Sequence, residues 1–104
     1  MIAMNEQKII SLLGLAQRAK KVVSGEFAVE KAVRSRQVKL LLVAEDASHG
    51  TKKKYRDMAT YYQVPLSVKL SKEKLGFALG KSVRAAVAVT DDGFSKALLE
   101  LLSD

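Results

Sequence analysis

The chain contains no cysteine. Disulfides are excluded, and so are thiolate metal sites and thiol nucleophiles. It has one histidine, His49, beside Gly50 in what reads as a solvated loop. Without a cysteine or a second histidine, His49 makes neither a metal set nor a catalytic triad. No metal, cofactor or catalytic residue is expected. No apolar run reaches the roughly 18 residues a membrane span needs. The opening MIAMNEQKII holds an acid and lacks the basic-then-apolar layout of a secretion signal. The expectation is a soluble, unprocessed, cytoplasmic protein with no membrane or small-molecule partner.

What the chain does have is positive charge. Eighteen lysines and arginines stand against eleven acids, a formal charge of +7. That balance favours a polyanionic partner, either nucleic acid or an anionic surface. The bases are concentrated. Residues 17–39 hold Arg18, Lys20, Lys21, Lys31, Arg34, Arg36 and Lys39 against Glu26 and Glu30. The last fourteen residues reverse the sign, with Asp91, Asp92, Glu100 and Asp104 against Lys96. A chain of 104 residues is expected to form one domain over 1–104 and to bury a core without staples.

Periodicity supplies the order of elements. Residues 5–20 read as a helix with Asn5 as N-cap and Glu6 in its first turn. Ile9, Ile10, Leu13 and Ala16 form its apolar stripe, widened by Leu12 and Leu15. Gly14 interrupts it, which suggests close packing against another backbone. Val22 to Ser24 reads as a short strand, and residues 25–35 as a second helix. VKLLLVA (38–44) is an apolar run suited to a strand buried on both faces. A third helix is expected over 52–63, with Tyr55, Met58, Ala59 and Tyr62 on one face, before Val64-Pro65 breaks it. A strand follows at 66–70, then a helix capped by Ser71 and stopped at Gly80. VRAAVAVT (83–90) reads as the last strand. Asp91 or Asp92 caps the last helix, striped by Phe94, Ala97, Leu98, Leu101 and Leu102. The order αβαβαβαβα with short links predicts an α/β fold, a three-layer α/β/α sandwich around one sheet.

One stretch organises the functional reading: VVSGEFAVEKAVRSR, residues 22–36. A strand that turns straight into a helix leaves the first helical N–H groups without intrahelical partners, at the positive end of the dipole. On a helical wheel Ala28, Val29, Ala32 and Val33 share the face that packs on the sheet. Phe27, Lys31 and Arg34 share the other. An exposed aromatic followed by two cations could stack on a base and hold phosphates. Phe27 could equally fold back against the first helix. Glu26 is either a base-contacting acceptor or a helix-start acid. The loop Gly80-Lys81-Ser82-Val83-Arg84 offers two cations and a hydroxyl before a strand, or an ordinary solvated turn. Lys52, Lys53, Lys54 and Arg56 read as the solvated face of the third helix. Glu45 and Asp46, adjacent at a strand end, point in different directions and read as strand-ending and helix-orienting groups. Gly76-Phe-Ala-Leu-Gly80-Lys81-Ser82 imitates a phosphate-binding P-loop. Its spacing is one residue short, and it follows a helix and precedes a strand, the reverse of what that loop needs.

Several motifs in order carry a resemblance: Ser24-Gly25 opening a helix with Lys31, VKLLLVAEDAS, Gln63-Val64-Pro65, Leu75-Gly76 with Gly80, and VRAAVAV. Over residues 6–98 the chain resembles the kink-turn RNA-binding ribosomal-protein superfamily of archaeal and eukaryotic large-subunit type. Its opening LLGLAQRAKKVVSGE and closing DDGF resemble most the small bacterial YlxQ-like branch. The resemblance implies a mixed four-stranded sheet between helices and a non-enzymatic, ribonucleoprotein role. It implies binding of structured RNA, ribosomal RNA included, at kinks containing sheared G·A pairs. The family reads those pairs with Gly, any residue, Asn, Glu, two variable residues and Lys at a helix start. Gly25 and Lys31 match; Phe27 and Ala28 stand where Asn and Glu would be. A phenyl ring and a methyl cannot make the hydrogen bonds of an amide and a carboxylate. Backbone and phosphate contacts remain. Together with the helix-start reading above, this makes the expected RNA-binding set Ser24, Gly25, Glu26, Phe27, Ala28, Lys31 and Arg34, closed by Lys81, Ser82, Val83 and Arg84, on a chain expected to be a monomer. The alternative is a ribosome-associated protein-interaction or RNA-positioning module without kink-turn preference.

Overall fold

The computed structural model describes residues 4–103; residues 1–3 and the acid Asp104 lie outside it. Five helices alternate with four strands in the expected order: α1 Met4–Arg18, β1 Val22–Ser24, α2 Glu26–Arg34, β2 Leu40–Val43, α3 His49–Tyr62, β3 Leu66–Val68, α4 Lys72–Ala78, β4 Ala86–Val89, α5 Asp92–Leu102. The fold is a three-layer α/β/α sandwich around a mixed sheet of order β1-β4-β2-β3. β4 runs antiparallel to both neighbours, with Val89 opposite Val22 on one side and Leu40 on the other. β2 and β3 are parallel, Leu41 opposite Leu66. The two central strands, LLLV and AVAV, are buried along their whole length, the condition that tolerates an unbroken apolar run. α2 and α3 cover one face and α1, α4 and α5 the other.

Strand direction positions the site. β1, β2 and β3 all run the same way, against β4. Each is followed by a helix, so the starts of α2, α3 and α4 gather at one end of the sheet. The helix borders shift from the sequence reading for identifiable reasons. Asn5 is not an N-cap: it lies inside α1, and its side-chain amide donates to the Leu101 carbonyl near the end of α5. α3 begins at His49, three residues before the expected start, because Ser48 caps it by accepting from the Thr51 N–H. His49 is therefore an exposed first-turn residue, not a loop residue. The last strand is Ala86–Val89, shorter than 83–90, because its partners β1 and β2 end at Ser24 and Val43. Asp91, not Asp92, caps α5, accepting from the Phe94 N–H at 2.8 Å. Gly14 packs against the Ala78 carbonyl, where a Cβ would come within 3.3 Å of the oxygen.

Candidate nucleic-acid interface

Gly25 joins β1 to α2 with φ 90° and ψ 143°. That conformation strongly favours glycine. Gly25 sits at the N-cap without a side-chain cap, so α2 opens on bare N–H donors. Val29, Ala32 and Val33 are buried beneath. Ala28, expected with them, is only half-buried, at the border of the core face. Phe27 does not fold back: it is 84% exposed. Lys31 is exposed one turn further on and makes no ion pair among the described residues. Phe27 and Lys31 line a groove of about 350 Å³ that runs between α2 and the edge strand, from Val23 toward Ser35 and Gln37.

The other charged members are partly committed. Glu26 pairs with Lys54 at 3.1 Å, and Lys54 also reaches Glu30 at 2.9 Å. The expected solvated face of α3 thus contains an inter-helix clamp. The hydrogen-bonded Glu30 carboxylate holds Lys54 above the ordinary lysine range; partial burial opposes this, and Glu26 reinforces it. Arg34 is exposed but bonds Glu30 at 3.3 Å. Beneath the clamp, the Tyr55 hydroxyl donates to the Glu26 carbonyl at 3.3 Å. Burial, and then the nearby Glu26 and Glu30 charges, push the Tyr55 phenol well above its ordinary range.

Residues 81–84 reach the same end of the sheet from α4. Arg84 Nε donates to Ser24 Oγ at 3.2 Å, tying the two candidate segments together across 60 residues of sequence. Its Nη1 donates to Ser82 Oγ at 3.2 Å and to the Val83 carbonyl at 2.9 Å. Arg84 is accordingly half-buried and holds the loop, whereas Lys81, Ser82 and Val83 are exposed, Val83 by 58%. Gly76 is the support. A Cβ there would lie 1.6 Å from the Ser82 carbonyl oxygen. The Lys81 N–H also donates to the Gly76 carbonyl at 2.8 Å. At Gly80, φ of 69° lets the chain leave α4 sharply. The segment after Ser82 leads to β4 and not to a helix, so the P-loop imitation has the wrong surroundings in the structure also.

Between the two segments lies a cleft of about 430 Å³. Ser24, Gly25 and Arg84 form one side and Ser48, Thr51 and Lys72 another. The last three were not among the sequence candidates. Their signal was present in the helix starts that follow β2 and β3, but only strand direction shows that these starts converge. Asp46, at the end of β2, accepts from the Lys72 N–H at 2.8 Å and orients the start of α4, as its place in sequence suggested. A wider, apolar-walled groove of about 560 Å³ lies on α1 around Leu12, Leu15 and Leu101, away from these groups. Among the described residues no cluster of His, Asp or Glu is arranged to hold a metal ion, and no helix is long and apolar enough to cross a membrane.

Comparison with known proteins places this geometry in context. Residues 7–99 match the model of the family described as Ribosomal protein L7Ae/L30e/S12e/Gadd45 family. RNA-binding protein YlxQ of Bacillus subtilis (strain 168) is 52% identical over 91 residues, 88% of this chain and 91% of that protein. RNA-binding protein YlxQ of Enterococcus faecium is 39% identical over 98 residues, 94% of each. A solved structure, of a protein with unknown function from Bacillus halodurans C, superposes with a TM-score of 0.90 at 43% identity. The match covers 93% of this chain and 98% of that one.

Proposed function

The chain belongs to the ribosomal protein L7Ae/L30e/S12e/Gadd45 family, and on that premise we propose that it is a non-enzymatic, cytoplasmic RNA-binding protein that recognises kinked, structured RNA. The start of α2 and residues 81–84 form the contact surface. The observation that carries this reading is the exposure of Phe27 at a helix start whose N–H donors are uncapped, with Lys31 one turn further along α2 and in no ion pair among the described residues. The N–H donors and Lys31 neutralise phosphates. Phe27 stacks on a base that the kink leaves unstacked, and Lys81 and Val83 close the other side. Ser24 and Arg84 keep the two sides at a fixed spacing. Glu26 acts through the clamp to Lys54, and Arg34 is a weaker phosphate partner because Glu30 already engages it. The two relatives named as RNA-binding proteins support RNA binding as such.

A second reading, RNA positioning without kink preference, is favoured by one fact: Phe27 and Ala28 lack hydrogen-bonding side chains for G·A edges. A titration separates the two. The protein is titrated against a kink-turn RNA and a plain duplex of equal length at several salt concentrations. The proposed function predicts tighter binding of the kinked RNA at every salt. Equal affinity assigns the second reading, and failure to bind either RNA removes both. Lys31→Ala is expected to weaken binding to all RNAs and to reduce the salt slope by about one unit.

A further inference from the structure

The basic stretch of residues 17–39 does not fold into one patch. Lys31 lies along α2, whereas Lys20, Lys21, Arg36 and Lys39 lie at the opposite end of the sheet from the α2 start. Their placement follows from the strands. The Thr90 N–H donates to the Lys21 carbonyl at 2.9 Å, and the Lys39 N–H donates to the Val89 carbonyl at 2.8 Å. Lys21 and Lys39 therefore flank the end of β4, two strand spacings apart, about 10 Å. Arg36 follows α2 on the same end and lies over the Tyr62 ring, 5.1 Å from its centroid. Tyr62 meets Tyr61 edge to face at 4.8 Å, and Tyr61 is 74% exposed.

Helix C-termini carry partial negative charge, and bases in a last turn can serve only to offset it. Arg18, Lys31 and Arg34 hold such positions. Lys20, Lys21, Arg36 and Lys39 lie beyond the last turns. All four are exposed, and none forms an ion pair among the described residues. Lys20 and Arg36 moreover have φ of 61° and 59°, in the left-handed region that favours glycine, yet both positions carry a base. Two acids follow β4 at the start of α5: Asp91 is occupied as its cap, and Asp92 is exposed. The groove beside α2 that begins at Phe27 and Lys31 ends at Ser35 and Gln37, against this patch.

We infer that this end is a second RNA-contacting surface, which takes a single-stranded segment continuing from the bound kink along the α2 groove. Lys21, Arg36 and Lys39 contact its phosphates, and Tyr61 offers a stacking face. The combination of exposed cations with an aromatic pair fits unpaired nucleic acid, which presents phosphates and base faces together. The inference rests on the RNA-binding function proposed above.

The test compares a kink-turn hairpin with the same hairpin carrying a single-stranded extension of about eight nucleotides, at its 5′ end in one molecule and its 3′ end in another. The wild-type protein is expected to bind one of the extended RNAs about tenfold tighter at low salt. Its log K against log salt should steepen by about two units, as three added single-strand phosphate contacts require. Lys21→Gln/Arg36→Gln/Lys39→Gln should bind both RNAs with the wild-type affinity for the bare hairpin, with an unchanged circular dichroism spectrum. Tyr61→Ala should lose part of the gain without altering the salt slope. Lys31→Ala should weaken both RNAs and keep the gain. Equal wild-type affinity for bare and extended hairpins, or a gain retained by the triple variant, overturns the second surface alone. No binding of any RNA overturns the proposed function itself. Binding to vesicles of phosphatidylserine and phosphatidylcholine that the triple variant loses, with no gain on extended RNA, assigns the patch to a membrane surface and overturns the inference.

Discussion

Phe27 lets the proposed RNA contact be tested apart from stability. At 84% exposure it contributes almost nothing to the core. Its replacement should change folding free energy by less than about 0.5 kcal/mol, the range of surface substitutions. If the ring stacks on a base, the same change should cost about 1–3 kcal/mol of RNA affinity, roughly 5- to 150-fold. Phe27→Ala is therefore expected to leave the thermal midpoint in place and to weaken kink-turn binding in a filter or fluorescence titration. Unchanged affinity would place the RNA elsewhere. Phe27→Asn with Ala28→Glu offers the contrast, since it supplies an amide and a carboxylate beside the same helix start. The double variant should regain affinity for sheared G·A pairs over Watson–Crick pairs. The sequence alone left Phe27 open: a helical wheel assigns a face, but it does not say whether that face meets another element.

At the scale of elements, the contact between α4 and the loop before β4 decides whether the site exists. Residues 81–84 have no regular structure. They are held by the Arg84 bonds to Ser24, Ser82 and Val83, and by the close approach of Ser82 to Gly76. Gly76→Ala would put a methyl 1.6 Å from a backbone oxygen, so the loop has to move. Overpacking of this kind costs about 1–3 kcal/mol. The expected outcome is a lower thermal midpoint together with weaker RNA binding. Ser82→Ala in the same assay loses only the exposed bond from Arg84 Nη1 and keeps the backbone approach to Gly76, so the midpoint should fall by much less. Gly76→Ala with wild-type affinity would show that the loop's position does not matter. Much of this level could be read from the chain. The apolar runs, the Ser71 cap and the stop at Gly80 placed their elements, and of the two caps offered for α5, Asp91 and Asp92, the structure selects Asp91. Strand ends were less legible, because a strand stops where its neighbour stops: Val83 and Ala85 are apolar enough for a strand but lie past the ends of β1 and β2.

At the scale of the whole molecule, what could not be read was direction. Hydrophobic period gives helices and strands in order, but not that β1, β2 and β3 point the same way. Two features follow from that direction alone: the convergence of helix starts that brings Ser48, Thr51 and Lys72 to the cleft, and the gathering of Lys21 and Lys39 beside the end of β4, away from that cleft. The layers on either side are each tied by a lysine. Lys54 joins α3 to α2 through Glu30 and Glu26, and Lys74 joins α4 to α1 through Glu6 at 2.7 Å. Both are held above the ordinary lysine value of 10.5, Lys54 first by Glu30 and Lys74 first by Glu6. Tyr55, buried under the α2–α3 clamp, is raised as well. A group whose folded pKa is raised binds its proton more tightly in the folded state. Its stabilisation is complete below the unfolded value and is lost as pH rises through the folded one. All three groups act in the same direction, so stability should be insensitive to them near neutrality and should fall above about pH 10. Denaturant unfolding from neutral pH to about pH 11 measures the fall. Lys54→Met should begin about 1 kcal/mol lower at neutral pH, as a half-exposed pair warrants, and should decline less steeply in the alkaline range. Tyr55→Phe loses the bond to the Glu26 carbonyl, about 1 kcal/mol, and its alkaline limb should flatten too. Parallel alkaline limbs for wild type and both variants would show that the clamp between α2 and α3 does not couple folding to these protons.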